Sequence, residues 1–321
     1  MLNIFKKKKR IPSRKVGLAL GSGSARGWSH IGVIRALAEA GIRLDYVAGT
    51  SIGALVGAVY ASGEIDALEE VVLQLDWKEI AFLSDVVFPK SGLIDGKKIS
   101  VFIQKHLNEI NIEDLALPFC AVSTDLTTGD EVTIRDGNII EAVRASISVP
   151  GIFTPVKKNG TILVDGGLVN PVPVSVVREM GAKFVIAVDL NHNIIGKNGL
   201  CKIPDSDSGT RFAEKKGRQN SERRNKFLEA LNKRIGTVDF SALTQIRQWM
   251  NKEPLPNIFE VLISSINIME SQITAIRLKT DPPDILIQPN LGHLRFLEFN
   301  RAKEAIDEGY KEGRNQIKSF Q

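Results

Sequence analysis

Three short stretches of this 321-residue chain carry residue types at spacings that could do chemistry. The first is Gly49-Thr50-Ser51-Ile52-Gly53, which has the pattern G-x-S-x-G. A serine there could attack a carbonyl carbon if it sat on a sharp strand-to-helix turn. Its hydroxyl would then stand clear of the sheet, and Gly49 and Gly53 would let neighbouring backbone pass where side chains would collide. The helix beyond would aim its N-terminus at the site, where its dipole favours developing negative charge. The same five residues also fit a plain tight turn with Ser51 as helix N-cap, and the pattern alone does not separate the two readings.

The second stretch is Gly21-Ser22-Gly23-Ser24-Ala25-Arg26-Gly27. Its small residues let backbone N–H groups face an anion, either the pyrophosphate of a dinucleotide or the oxyanion of a tetrahedral acyl intermediate. The dinucleotide fingerprint G-x-G-x-x-G is imperfect, because the third glycine, Gly27, comes one residue late; Asp45 does lie about twenty residues on. A second glycine-flanked turn bearing Ser51 has no place in dinucleotide binding and favours the acyl reading. The third stretch is Asp165-Gly166-Gly167, where two glycines leave a carboxylate room at a turn. A serine nucleophile needs a proton acceptor, and Asp165 is one candidate, although a DGG turn by itself is ordinary loop chemistry. The four histidines, His30, His106, His192 and His293, stand in no turn that presents them as a base.

These residues need elements to hold them. Val16–Leu20 reads as a buried strand running into the first glycine loop, followed by a helix pattern from Trp28 to Ala40 that Gly41 would stop. Leu44–Ala48 reads as a second strand and Ala54–Ala61 as the helix leaving it. Further strands are expected at Phe119–Ser123, Glu131–Ile134, Ile162–Val164, Phe184–Val188 and Ile285–Ile287. Such alternation predicts an α/β fold, a largely parallel sheet with helices on its faces. A polar stretch at about 191–235 interrupts it; between Arg211 and Arg234 it holds nine Lys or Arg against three Glu, and it reads as an insertion. Asp205-Ser-Asp207-Ser-Gly209 lacks the third acidic position and closing Glu of a calcium loop, so no metal site is expected.

Composition narrows the classes. An apolar fraction of 43% and a charged fraction of 25% suit a globular protein with a sizeable core. Cys120 and Cys201 form neither a disulfide framework nor a CxxC knuckle, which points to a reducing, cytoplasmic setting. Much of the net charge of +5 sits in Lys6-Lys7-Lys8-Lys9-Arg10, within a basic tail covering 1–14. That tail fits peripheral contact with anionic lipid head groups, and equally a solvated end. Without aromatic interleaving or a recognition motif, nucleic acid is not an expected partner. No apolar run approaches the ~20 residues of a membrane helix.

Taken together, LALGSGSARGWSHIGVIRAL, VAGTSIGALVGAVYA, RASISVPGIF, LVDGGLVNPVPVSVVR and DPPDILIQP resemble the patatin-like phospholipase family, in its bacterial neuropathy-target-esterase branch. The resemblance covers roughly residues 15–190 and resumes near the C-terminus. It implies a three-layer α/β/α fold with a mainly parallel central sheet, forming one hydrolase domain over 15–321. It also implies a Ser–Asp dyad without cofactor or metal: Ser51 as nucleophile, Asp165 as general base, and the N–H groups of Gly23 and Ser24 as oxyanion hole. Arg26 would stand at the family's usual Lys/Arg position, orienting the loop or binding phosphate. The implied substrate is a lipid or acyl ester, cleaved through an acyl-enzyme; a regulatory binding protein keeping this fold with little turnover is the alternative. In one departure, Ser22 and Ser24 interrupt the family's glycine run, at a steric cost wherever φ is positive. Neither head group, acyl chain nor oligomeric state follows from the residues.

Overall fold

In a computed structural model of the chain, residues 15–75, 110–194 and 258–320 are described, with Ile11 and Gln104 besides. By its internal contacts the chain divides into two units, one formed by 1–200 with 262–321 and the other by 201–261. The basic tail up to Arg10, most of the polar stretch at 191–235, His106 and Cys201 lie outside the described residues.

The larger unit is built on an eight-stranded mixed sheet. Its strands are β1 (Val16–Leu20), β2 (Tyr46–Thr50), β3 (Phe119–Asp125), β4 (Glu131–Ile134), β5 (Val156–Lys158), β6 (Thr161–Asp165), β7 (Phe184–Val188) and β8 (Ile285–Ile287). They run in the order β5-β6-β3-β2-β1-β7-β8, with β4 also paired to β3. The four pairings from β3 through β8 are parallel, while β4, β5 and β6 join by antiparallel pairing. The central parallel strands are apolar at nearly every position because both faces are covered.

Alternate residues feed two cores. Leu18, Leu20, Val47, Ile186 and Val188 face one side, with α1 (Ser29–Glu39), α2 (Ile52–Ala61) and the C-terminal helix Ala302–Phe320. Ala19, Ala48, Cys120 and Ala187 face the other, beneath the short helix Val174–Glu179. Small side chains on that second face let the helix lie close: a methyl group at Gly17 would overlap Val177. On the first face, methyl groups at Gly32 or Gly309 would meet the backbone of the opposite helix, so α1 and Ala302–Phe320 cross in close contact.

The expected strands are present, with shifted ends. The second strand begins at Tyr46 and continues to Thr50 instead of spanning Leu44–Ala48. Leu44 is buried ahead of it as a plug, while the Asp45 carboxylate accepts the N–H of Val16. The helix expected from Trp28 is preceded by a 3-10 turn, Ser24–Trp28, and the one expected from Ala54 starts at Ile52. β5 gave no sequence signal, being a three-residue edge strand of exposed and half-buried residues. Among the described residues no helix is long and apolar enough to cross a membrane.

Candidate active site

Ser51 sits at the junction of β2 and α2 with φ 57 and ψ −125, a conformation that a non-glycine residue reaches only under strain of about 1–3 kcal/mol. Its surroundings hold it there. A methyl group at Gly49 would overlap the carbonyl of Gly53, and one at Gly53 would overlap the carbonyl of Leu20. The N–H of Ser51 donates to Ser146 Oγ at 2.9 Å, and Ser146 in turn donates to the Val122 carbonyl at 2.5 Å. Ser146 closes the helix Ile139–Ser146, so that helix and β3 fix the turn from the side. The Ser51 carbonyl accepts the first N–H bonds of α2, from Ala54 at 2.8 Å and Leu55 at 3.2 Å.

Asp165 ends β6. Its N–H donates to the Ser148 carbonyl at 3.0 Å, and its own carbonyl accepts from Thr124 Oγ1 at 2.9 Å. Its side chain is aimed by the glycines that follow. Oδ1 accepts the Gly167 N–H at 2.7 Å, and Oδ2 accepts the Ser51 hydroxyl at 2.5 Å. A methyl group at Gly166 would overlap the Val122 carbonyl, so the turn lies flat against β3. Thr50 Oγ1 donates to the Asn170 carbonyl at 2.8 Å, tying the exit of this turn back to β2. Ser51 is 6% exposed and Asp165 2%. Burial, then the nearby Glu270 carboxylate, push the Asp165 carboxyl up to about 8, against the pull of its two hydrogen bonds.

The loop at 21–27 passes beside this pair. Most of its amides are already engaged. Gly21 N–H donates to Val188, Ser22 to Pro171, Ala25 to Phe296 and Arg26 to Gly23. Among the described residues the N–H groups of Gly23 and Ser24 have no acceptor. Ser24 has φ 51, the positive value that makes serine costly there, and its hydroxyl is tied to the Phe296 carbonyl at 2.6 Å. A methyl group at Gly27 would overlap Ile52, so the loop rests on the first residue of α2.

Arg26 is buried and faces inward. Nε donates to the Gly23 carbonyl at 3.0 Å and Nη2 to Asn267 Oδ1 at 3.1 Å, so the guanidinium ties the loop to the helix Ile258–Thr280. Desolvation lowers it to about 10, which leaves it charged at neutral pH. His30 lies under the same loop with Nε2 2.8 Å from the Gly21 carbonyl. Because that carbonyl only accepts, Nε2 carries the proton, and burial lowers the imidazole to about 4. His30 is a neutral structural donor and does not touch Ser51.

The structure thus brings Ser51, Asp165, Gly166, Gly167, Gly49, Gly53 and the loop from Gly21 to Gly27 into one place. Sequence reasoning missed four participants. Ser146 lies within RASISVPGIF, where a serine flanked by apolar residues was the available signal. Asn267 and Glu270 come from the helix Ile258–Thr280, whose buried stripe of Ile263, Ile266, Asn267, Glu270 and Thr274 is mostly polar and so shows no apolar period. Asn191, placed at the start of the polar stretch, is buried. Among the described residues no group of three or more His, Cys, Asp or Glu is placed to hold a metal ion.

A sheet of this order, with a strained serine at the turn after β2 and an aspartate at the end of β6, one strand removed across β3, defines an α/β protein with a serine–carboxylate pair. A family model described as patatin-like phospholipase matches residues 18–178, and the chain belongs to that family. An uncharacterized NTE family protein of Mycobacterium tuberculosis is 32% identical over 96% of this chain and 93% of its own length. Patatin-like phospholipase domain-containing protein 6 of mouse is 29% identical over 93% of this chain, which spans 20% of that protein. The human protein of that name is 38% identical over 60% of this chain and 14% of its own length. The crystal structure of VipD from Legionella pneumophila aligns with a TM-score of 0.45 at 15% identity, covering 96% of this chain and 67% of that one.

Proposed function

We propose that the chain hydrolyses carboxylic esters of lipids, with Ser51 as nucleophile and Asp165 as its base. The observation that carries this reading is the 2.5 Å hydrogen bond from Ser51 Oγ to Asp165 Oδ2, at a buried serine held in a strained turn. The ionised Asp165 takes the Ser51 proton as Oγ attacks the ester carbonyl. The N–H groups of Gly23 and Ser24 receive the oxyanion. The tetrahedral intermediate expels the alcohol, which leaves with the proton from Asp165, and an acyl ester remains on Ser51. Water then attacks that ester, giving its proton to Asp165, and the fatty acid departs as Ser51 recovers its hydrogen.

Membership of the patatin-like phospholipase family supports a lipid ester as substrate. So do the N–H groups of Gly23 and Ser24, which have no acceptor among the described residues. The test is hydrolysis of a short and a long p-nitrophenyl ester by wild type, Ser51→Ala and Asp165→Asn, together with fluorophosphonate labelling of Ser51. Wild type should turn over and label, and both variants should lose activity by at least about 10³-fold. An inert, unlabelled wild type would replace this reading with a regulatory binding protein that keeps the fold.

A further inference from the structure

A second carboxylate stands behind the candidate dyad. Glu270, on the helix Ile258–Thr280, is 6% exposed. Its Oε2 accepts from the Ser22 hydroxyl and from Asn191 Nδ2, each at 3.1 Å, and Asn191 Nδ2 also donates to Ser22 Oγ at 3.0 Å. Oε1 points the other way, at Gly167. A methyl group built there would overlap Oε1 and lie 3.1 Å from Asp165 Oδ1. The two carboxyls therefore flank one glycine within about 5 Å of each other, a range at which like charges disfavour each other's ionisation. Gly167 is glycine for this reason as well as for its turn, since any side chain would push the carboxyls apart.

We propose that Glu270 is a positioning residue of the Ser51–Asp165 site: its charge, fixed by Ser22 and Asn191 and set against Gly167, makes Asp165 hold the Ser51 proton more tightly. This rests on the esterase reading above. It addresses a weakness of any serine–aspartate pair, since an ordinary carboxylate is a poor base beside histidine. It also links base and oxyanion loop, because the side chain that crowds Asp165 accepts from Ser22 of the loop. The charged groups acting on Glu270 are Arg26 from the 3-10 turn, which favours its ionised form, and Asp189 after β7, which opposes it; Glu270 in turn acts on Asp165 across Gly167. Glu270 and Asp165 are both raised from ordinary carboxylate values by burial first.

The experiment is the pH profile of kcat/KM for p-nitrophenyl butyrate in wild type, Glu270→Gln and Ser22→Ala, all checked for folding by circular dichroism. Glutamine keeps the size and removes the charge, so the midpoint of the rising limb should move at least one pH unit towards acid, with a lower plateau. Ser22→Ala removes one hydrogen bond to Oε2 and should move the midpoint the same way by a smaller step; it carries the test alone if Glu270→Gln does not fold. Profiles that superimpose on wild type, whatever their plateau, overturn the proposal, since a role confined to packing would lower the plateau without moving the midpoint. An inert wild type would remove the esterase reading and this one together. An active wild type with unmoved midpoints would remove this one alone.

Discussion

Replacing Asp165 by asparagine should stabilise the protein while it abolishes turnover, and the stabilisation should depend on pH. The carboxyl ordinarily titrates near 3.8 and is held at about 8 in the folded chain. A folded value above the unfolded one means that the folded state binds the proton more tightly. Stability from this group is therefore complete below 3.8 and is lost as pH rises through 8. Near neutral pH the unfolded chain releases this proton more readily than the folded chain does, which costs on the order of several kcal/mol relative to a neutral group, and the cost grows towards pH 9. Asparagine is neutral throughout. It keeps an oxygen for the Gly167 N–H, and its amide faces Ser51, an exchange that costs about 1–2 kcal/mol. The net gain at pH 8.5 is on the order of 3 kcal/mol, which raises Tm by roughly 4–5 °C for a chain of 321 residues. Thermal unfolding of wild type and Asp165→Asn, followed by circular dichroism between pH 4 and pH 8.5, checks this. The two melting temperatures should converge at the acid end and separate steadily above it. A gap that is constant with pH, or an asparagine variant less stable at pH 8.5, would refute the claim that burial and Glu270 raise this carboxyl's affinity for its proton.

Three further outcomes follow from the geometry. Gly53→Ala puts a methyl group onto the Leu20 carbonyl, which backbone on both sides prevents from yielding; a loss on the order of 3 kcal/mol is expected in urea unfolding, and a loss below 1 would contradict the close approach. Ser146→Ala strands the Ser51 N–H without its acceptor, at about 1–3 kcal/mol, and should cut kcat for a p-nitrophenyl ester at least tenfold with little change in KM. His30→Gln removes an imidazole held down at about 4 against 6.5 when unfolded. A depressed value contributes stability that is present above 6.5 and lost as pH falls through 4. Wild type should therefore lose about 3 kcal/mol more than the variant between pH 7 and pH 4, read from urea midpoints at the two pH values.

What was legible in the sequence is what local geometry dictates. The glycines flanking Ser51 and following Asp165 are required within a few residues of the groups they serve, so they appear as short motifs. Central strands buried on both faces appear as apolar runs for the same reason. The remainder depends on contacts distant in sequence. Glu270 meets Ser22 across 248 positions, and its helix buries polar residues, so neither a motif nor a period marks it. Ser146 was inside a visible stretch, but its role is set by Val122 and Ser51, which only the fold brings to it. Arg26 fitted two roles by type; its partners, the carbonyl of Gly23 and the amide of Asn267, lie 3 and 241 positions away, and only the nearer was within reach of a motif.

Several unfavourable features lie close together around Ser51. Ser51 and Ser24 both hold positive φ, and two carboxyls are buried beside one glycine. Each would destabilise an isolated turn. They persist because the strands beneath them are among the most deeply buried in the chain, with β1 fully covered and β7 likewise. The arrangement also explains the sheet's mixed character. Parallel β1 and β2 deliver the glycine loop and Ser51 at their C-terminal ends, next to helix N-termini. Asp165 must reach Ser51 from a different direction, and antiparallel β6 brings it in against the far half of β3. A wholly parallel sheet would end β6 on the same edge through another crossover helix. Here a short antiparallel strand and two glycines place the carboxylate beside Ser51 without one.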